Sequence, residues 1–192
     1  MKKVIVFQEK QVFDNFFKII EVELSYEKFD GQLSPRKRKL IFDRGNSAAA
    51  IIFNKGTNKL LFINQFRLPA YKKGEGWLIE IVAGSIQEGE SSDITIIREV
   101  KEEIGYQTEK PTFITSFFVS PGAATEKIDL YYIEVSPDQK KFRGGGLVSE
   151  DEDIQIIELD IEEALDKIKN QEIIDAKTII GILWFKEKIF RL

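Results

Sequence analysis

Histidine and cysteine are both missing from this chain of 192 residues. Without cysteine there is neither a disulfide framework nor a cysteine zinc site, and nothing argues for an oxidising compartment. Without histidine, Ser-His-Asp and Cys-His catalysis and histidine metal ligation are excluded. Carboxylates, lysines, arginines and the backbone are left to carry any chemistry, so acid–base work falls to Glu or Asp. Long apolar runs are missing too. The opening stretch MKKVIVFQEK meets charge after four apolar residues, too few for a signal peptide, and no later run approaches the ~20 residues that span a bilayer. A cytoplasmic protein with no membrane partner is expected. Basic surface is scarce: the net charge is −4, and the one dense basic run, Arg36 to Lys39, reads alone as a solvated strand edge. Nucleic acid is therefore not an expected partner.

What remains is ordinary globular material, 43% hydrophobic and 31% charged, enough for one core with an appendage. Alternating apolar positions Ile20, Val22, Leu24 and Tyr26, followed by Asp30-Gly31, predict a hairpin returning through Arg38 to Phe42. A second hairpin is predicted from Ala48–Phe53 and Lys59–Phe66 around the turn Asn54-Lys55-Gly56-Thr57-Asn58. Trp77 to Val82, Thr112 to Val119, Ile128 to Val135 and Ile154 to Leu159 read as further strands. Helices are expected over Ile161 to Asn170 and, capped by Asp175, through Phe185. Interleaved strands and helices give an α+β fold, a mixed sheet sandwiched between helices, with residues 1–45 as an N-terminal β segment and 46–192 as the main domain.

Between Gly84 and Tyr106 the residues look chosen for chemistry. Ile94, Ile97, Val100 and Ile104 recur at helical spacing from about Ser92, with Ser91 or Ser92 as the start cap and Gly105 as the stop. On that wheel Glu99 and Glu103 fall one turn apart, opposite the apolar stripe, with Glu102 beside them. Three like charges within a turn repel by a few tenths of a kcal/mol per pair, which a cation would offset. Oxygen donors suit Mg²⁺ or Mn²⁺, and Mg²⁺ bridges carboxylates to substrate phosphates. Taken alone, a Glu-rich helix is a solvated acidic face.

The full pattern is Gly84, five residues, Glu90, seven residues, then Arg98-Glu99-Val100-Lys101-Glu102-Glu103-Ile104-Gly105. It resembles the Nudix box. Seven fixed positions coincide by chance on the order of once in 10⁸ starts, which removes accident as an explanation. Tyr106 stands where the family usually has an aliphatic residue. Beyond the box, Phe42-Asp43-Arg44-Gly45-Asn46, Asn64-Gln65-Phe66-Arg67, Ser120-Pro121-Gly122, Gly144-Gly145-Gly146 with Glu150-Asp151-Glu152-Asp153-Ile154, and Asp175-Ala176-Lys177-Thr178 resemble the nucleotide-sugar branch of that family, which hydrolyses GDP-mannose, beside the ADP-ribose pyrophosphatases.

The resemblance implies Mg²⁺-dependent cleavage of a pyrophosphate bond, with GDP-mannose giving GMP and mannose 1-phosphate; the alternatives are ADP-ribose hydrolysis and a non-catalytic module that senses a nucleotide sugar. It implies metal held by the Ala83 carbonyl with Glu99, Glu103 and Glu152, and Mn²⁺ can replace Mg²⁺. Glu103 and Glu152 are the implied catalytic carboxylates, although Glu150 or Asp153 could supply the acid in that loop, which alone would pass for a solvated turn. Three glycines beside it suggest a loop that can close. Around the substrate the resemblance puts Arg67, Ala83, Gly84, Ser85, Glu103, Glu126, Asp151 and Lys177. It brings Phe16, Arg38 and Lys39 to the nucleotide from an N-terminal segment exchanged between the two subunits of a homodimer. Gly84, Glu90, Arg98 and Gly105 are implied to be structural, the Glu90–Arg98 pair orienting helix and loop.

Overall fold

The computed structural model describes residues 2–147, 149 and 152–189. It divides into two compact units, the first comprising Met1–Asn46 and Phe118–Lys127 and the second Ser47–Phe117 and Ile128–Leu192.

The first unit is a three-stranded antiparallel sheet of β1 (Val4–Asp14), β2 (Lys18–Tyr26) and β3 (Lys37–Asp43), in that order. The expected β2–β3 hairpin is present, with Leu24 opposite Lys37 and Lys18 opposite Asp43. Its turn is tightened where the Gln32 amide donates to the Asp30 carboxylate at 2.9 Å and Gly31 takes φ +81°. Strand β1 was not expected from sequence. It pairs with β2 through two register shifts and is exposed along almost its whole length, so no two-residue alternation marks it. The segment Phe118–Lys127 is laced to the end of β3: the Phe42 amide donates to the Ala123 carbonyl at 2.8 Å and the Thr125 hydroxyl to Asp43 at 2.7 Å.

The second unit is built on a mixed sheet. Strands β4 (Ser47–Asn54) and β5 (Lys59–Phe66) form the expected hairpin but stay paired only near their turn, over Ile52–Asn54 and Lys59–Leu61. Beyond it they part, and the chain from Trp77 to Ser85 fills the opening. Strand β6 (Trp77–Glu80) pairs with β5, and β7 (Val82–Ser85) pairs with β4. Strands β8 (Thr112–Phe118), β9 (Lys127–Val135) and β10 (Gln155–Leu159) complete the order β10-β5-β4-β9-β8, with β4 and β9 parallel. A four-residue turn of helix, α1 (Leu68–Tyr71), joins β5 to β6.

Helices cover both faces. On one, α3 (Ile161–Lys169) and α4 (Ala176–Lys188) pack on Ile51, Leu60, Phe62 and Leu130; on the other, α2 (Ser92–Ile104) lays Ile96, Val100 and Ile104 on Ile63, Val82 and Ile133. Among the described residues no helix is long and apolar enough to cross a membrane.

The face of α2 that is buried differs from the expected one. Ile94 is 54% exposed, and the buried residues are Thr95, Ile96, Glu99, Val100, Glu103 and Ile104. At 100° per residue these span one half of the wheel, with Glu103 near its middle. The carboxylates are thus on the packed side of the helix. Ile96, omitted from the expected stripe, carries the packing that Ile94 was assigned.

Candidate active site

Ser91 occupies the cap position before helix α2, but its hydroxyl is engaged with Asp93 and does not cap the helix, while the Ser92 hydroxyl meets that of Tyr131 at 2.7 Å. It stops at Gly105, φ +77°, where a side chain would collide with the backbone of Phe142. The stretch after that carbonyl wraps the helix end. Amides of Lys141 and Phe142 donate to the Gly105 carbonyl, Gly145 to that of Glu103 at 2.8 Å, and Gly146 to that of Glu102 at 3.2 Å. Lys140 Nζ donates to the Ile104 carbonyl at 2.8 Å. Four carbonyls that an α-helix leaves unpaired are satisfied here by one segment.

That docking accounts for the three glycines otherwise than by a loop free to close. Gly144, Gly145 and Gly146 all have positive φ, +71°, +100° and +83°, and a Cβ on Gly144 would fall 2.9 Å from the Glu103 carbonyl oxygen. The docked loop then carries Glu152, whose Oε2 accepts from the Leu147 amide at 3.0 Å and lies 2.9 Å from where a Cβ of Gly146 would be.

On the opposite side, strand β7 runs antiparallel to β4 with Ala83 facing Ala49 and Gly84 facing Ala48, both partners fully buried. Gly84 has no room for a side chain: a Cβ would sit 1.8 Å from Glu99 Oε1. The Glu99 carboxylate therefore lies flat on the backbone at Ala83-Gly84. Ser85, at the strand end, is exposed.

Glu103 is 1% exposed and Glu99 8%. Burial pushes the Glu99 carboxyl up to about 7, with Arg98 opposing the rise and Glu102 and Glu152 adding to it. Glu103 is driven well above its usual range by burial and then by the charges of Glu99 and Glu152; the Ala83 backbone and Arg67 pull the other way. Its Oε2 is buried with no hydrogen-bond partner. Among the described residues no three acidic groups converge in a ready-made cation cage. Two of the acids have other partners: Arg98 Nη1 donates to Glu99 at 2.8 Å, and the Leu147 amide to Glu152 at 3.0 Å. An orphaned buried carboxylate oxygen, three mutually repelling acids and a glycine cradle nevertheless fit a hard divalent cation with oxygen donors.

Arg98 reaches Glu90 at 3.3 and 3.4 Å and Glu102 at 2.9 Å, and Glu90 also accepts from the Thr95 hydroxyl at 2.9 Å. The pair ties the loop before α2 to its second turn. Glu90 is held below the ordinary carboxylate range by those hydrogen bonds.

Two cations stand at the end of the same sheet. Arg67, between β5 and α1, donates through Nε and Nη2 to the two oxygens of Glu80 at 2.9 and 3.0 Å. Lys177, in the first turn of α4, reaches Glu80 at 2.5 Å and Asp175 at 3.0 Å. That helix start is fixed because Asp175 caps Thr178, whose hydroxyl in turn accepts from the Ile81 amide at 2.9 Å. Glu80 was missed in the sequence reading. Its signal was a lone acid between Ile79 and Ile81 in an otherwise apolar strand, a buried charge that must find partners.

The second unit thus holds Arg67, Ala83, Gly84, Ser85, Glu99, Glu103, Glu152 and Lys177. Phe16, Arg38, Lys39 and Glu126 belong to the first. Phe16 is 85% exposed and edge-on to Phe17; Arg38 pairs with Glu21 at 2.7 Å, Lys39 is exposed, and Glu126 is buried beside Arg44 at 3.6 Å. Asp151 and Glu150 lie outside the described residues.

The sequence matches the NUDIX domain over residues 43–179. It is 33% identical over 181 residues to a GDP-mannose pyrophosphatase of Shigella flexneri serotype 5b, covering 93% of each chain, and equally to one of Escherichia coli O157:H7. Among solved structures it resembles an ADP compounds hydrolase, with a TM-score of 0.72 at 19% identity, over 97% of this chain and 96% of that one.

Proposed function

The chain belongs to the Nudix hydrolase family, and from that premise we propose that it is a Mg²⁺-dependent nucleotide-sugar pyrophosphatase that cleaves GDP-mannose to GMP and mannose 1-phosphate. The observation that carries the pyrophosphate chemistry is Glu103: a buried carboxylate with one unpartnered oxygen, repelled by Glu99 and Glu152 and opposed in this only by the Ala83 backbone and the charge of Arg67. The choice of substrate is supported by the GDP-mannose pyrophosphatases that the chain resembles over nearly its full length.

Glu99, Glu103 and the Ala83 carbonyl, with Glu152, are the groups that would hold Mg²⁺, or Mn²⁺ in its place. Such an ion, when bound, lowers the pKa of water and offsets charge on phosphoryl oxygens. The protein's own part is to place and to deprotonate. Glu152 accepts the proton of the attacking water, and Arg67 and Lys177 supply fixed positive charge for the two phosphoryl groups, Arg67 by a planar grip and Lys177 as a point charge. Gly84 and Ser85, beside them, offer backbone to the substrate. Asp151 and Glu126 are assigned to substrate contacts by resemblance alone.

A homodimer is part of this reading. Among the described residues of the first unit, Val22 is the one buried apolar side chain, while Val4, Val6, Phe7, Phe13 and Leu40 are exposed. A small sheet without its own core needs a partner surface. We assign that surface to a second copy, with residues 1–45 exchanged and Phe16, Arg38 and Lys39 serving the partner's nucleotide. A cytoplasmic setting accords with the lack of cysteine.

The test is a release assay with GDP-mannose, ADP-ribose, GDP-glucose and diadenosine polyphosphates in Mg²⁺, each coupled to phosphatase. GDP-mannose is expected to give the highest kcat/KM. A higher value for ADP-ribose would move the protein to the other branch, and no turnover of any would leave a sensor.

A further inference from the structure

We propose that Glu80 is a positioning residue that locks Arg67 and Lys177 into one rigid fork for anionic phosphoryl groups. The inference rests on the reading of those two cations as phosphate ligands. Glu80 is 2% exposed and sits in β6 opposite Ile63, on the sheet face that carries α2. Both its oxygens are used: Oε1 takes Arg67 Nε, and Oε2 takes Arg67 Nη2 and Lys177 Nζ. The two cations come from positions more than a hundred residues apart, one at the end of β5 and one at the start of α4, and a single carboxylate spans them.

Burial works against the charge of Glu80, but the two cations outweigh it and hold the carboxyl below its usual range. Stability alone is a poor reason for such an arrangement, because buried ion pairs are often replaced by apolar residues without loss. Donor arithmetic favours a site. Arg67 has five N–H donors and gives two to Glu80; Lys177 has three and gives one each to Glu80 and Asp175. The Arg67 side chain is 40% exposed whereas that of Glu80 is 3% exposed. The carboxylate is therefore behind the guanidinium, out of reach of a ligand, and the remaining Arg67 donors face outward, with the Lys177 side chain, 11% exposed, set deeper as the second positive charge. Arg67 also lies close enough to Glu103 for each to favour the other's charge, so the fork adjoins the carboxylate cluster. A pre-set pair of cations loses little rotamer freedom when a diphosphate arrives.

The variant Glu80→Gln, made in the full-length protein, is expected to raise KM for GDP-mannose at least tenfold, change kcat less than threefold, and leave the Mg²⁺ concentration for half-maximal rate within twofold. Added to a chain already carrying Arg67→Ala and Lys177→Ala, the same change should move KM less than threefold. A merely structural Glu80 would lower Tm with KM unchanged, and a tenfold effect persisting without both cations would show that it acts by another route; either overturns the proposal. So does a tenfold shift in Mg²⁺ requirement. If Glu80→Gln does not fold, Glu80→Asp keeps the charge and shortens the reach by one methylene, and the same rise in KM is expected. If the wild type turns over no nucleotide sugar, the proposed function fails on its own, and titration of inorganic pyrophosphate with Mg²⁺ still measures the fork: affinity at least tenfold weaker in the variant supports it, and equal affinity or no binding by wild type overturns it.

Discussion

The Gly145 amide donates to the Glu103 carbonyl across 2.8 Å. One residue thus has two tasks: its side chain lies at the centre of the acidic cluster, and its main chain anchors the loop that brings Glu152 to that cluster. Position along the helix and position of the loop are set by the same backbone unit, so a disturbance of either reaches the other.

The glycines of this loop should therefore differ from one another when substituted. Gly146→Ala places a methyl 2.6 Å from Glu152 Cβ in a left-handed backbone, whereas Gly145→Ala meets nothing nearer than 3.7 Å and carries backbone strain alone. Each should lose about 1–2 kcal/mol of stability from the conformation. Only Gly146→Ala should also lower kcat by tenfold or more, because it displaces Glu152. Thermal melts and initial rates on both variants check this; equal kcat values would mean that Glu152 is not placed by the loop.

Glu103→Gln should divide stability from activity. Removing a buried acid that the metal-free protein must protonate against its usual range is expected to raise Tm in chelator and to abolish the further rise that Mg²⁺ gives wild type. Turnover should fall more than about a hundredfold, or roughly 3 kcal/mol of transition-state stabilisation. A variant of near wild-type rate at saturating Mg²⁺ would contradict the assignment of this helix.

Much of the molecule could be read from the chain because local chemistry and final structure agree. Gly105 ends α2 in the left-handed conformation that glycine favours, Asp175 caps α4, and the turns at Asp30-Gly31 and Asn54–Asn58 join paired strands. What was misread required tertiary information. Ile94 and Ile96 score alike for burial, and only the docking of α2 on β4 and β7 decides between them. Glu99 and Glu103 fall opposite a stripe counted from Ile94, and moving the stripe to Ile96 brings both onto the packed side, where a site that needs desolvated carboxylates overrides the usual exposure of charge. Strand β1 has no alternation to find, and the three glycines carry the same letters whether a loop is loose or docked.

A chain beginning at Asp43 should lose both partner and substrate. It lacks β1, β2 and most of β3, and with them the exposed Val4, Val6, Phe7, Phe13 and Leu40 to which the dimer is assigned. Light scattering is expected to give a dimer for the full chain and a monomer or aggregate for the truncated one, and nucleotide-sugar affinity should drop more than tenfold. A soluble truncated monomer with unchanged KM would remove the N-terminal segment from the site.

The stability of the metal-free protein and the stabilisation that metal adds should depend on pH in opposite directions. Burial raises the Glu99 carboxyl from an ordinary 4.5 to about 7, so in that window the folded protein binds a proton that the unfolded chain does not. A group raised on folding favours the native state below its unfolded pKa and loses that contribution as pH climbs through the folded value. Glu103, raised for the same reasons, acts in the same direction. Glu80 has the opposite sign: its carboxyl is lowered, so its contribution is complete above about 4.5 and is lost only in acid, outside this window. In chelator, Tm is therefore expected to fall between pH 6 and pH 8. Mg²⁺ binds only the ionised carboxylates, so protons compete with it, and its stabilisation grows as they leave. The rise in Tm on adding Mg²⁺ should be small at pH 6 and larger at pH 8, and in Glu99→Gln it should shrink and lose most of its pH dependence. A shift that is equal at both pH values in wild type would mean that the cation binds elsewhere than at these acids.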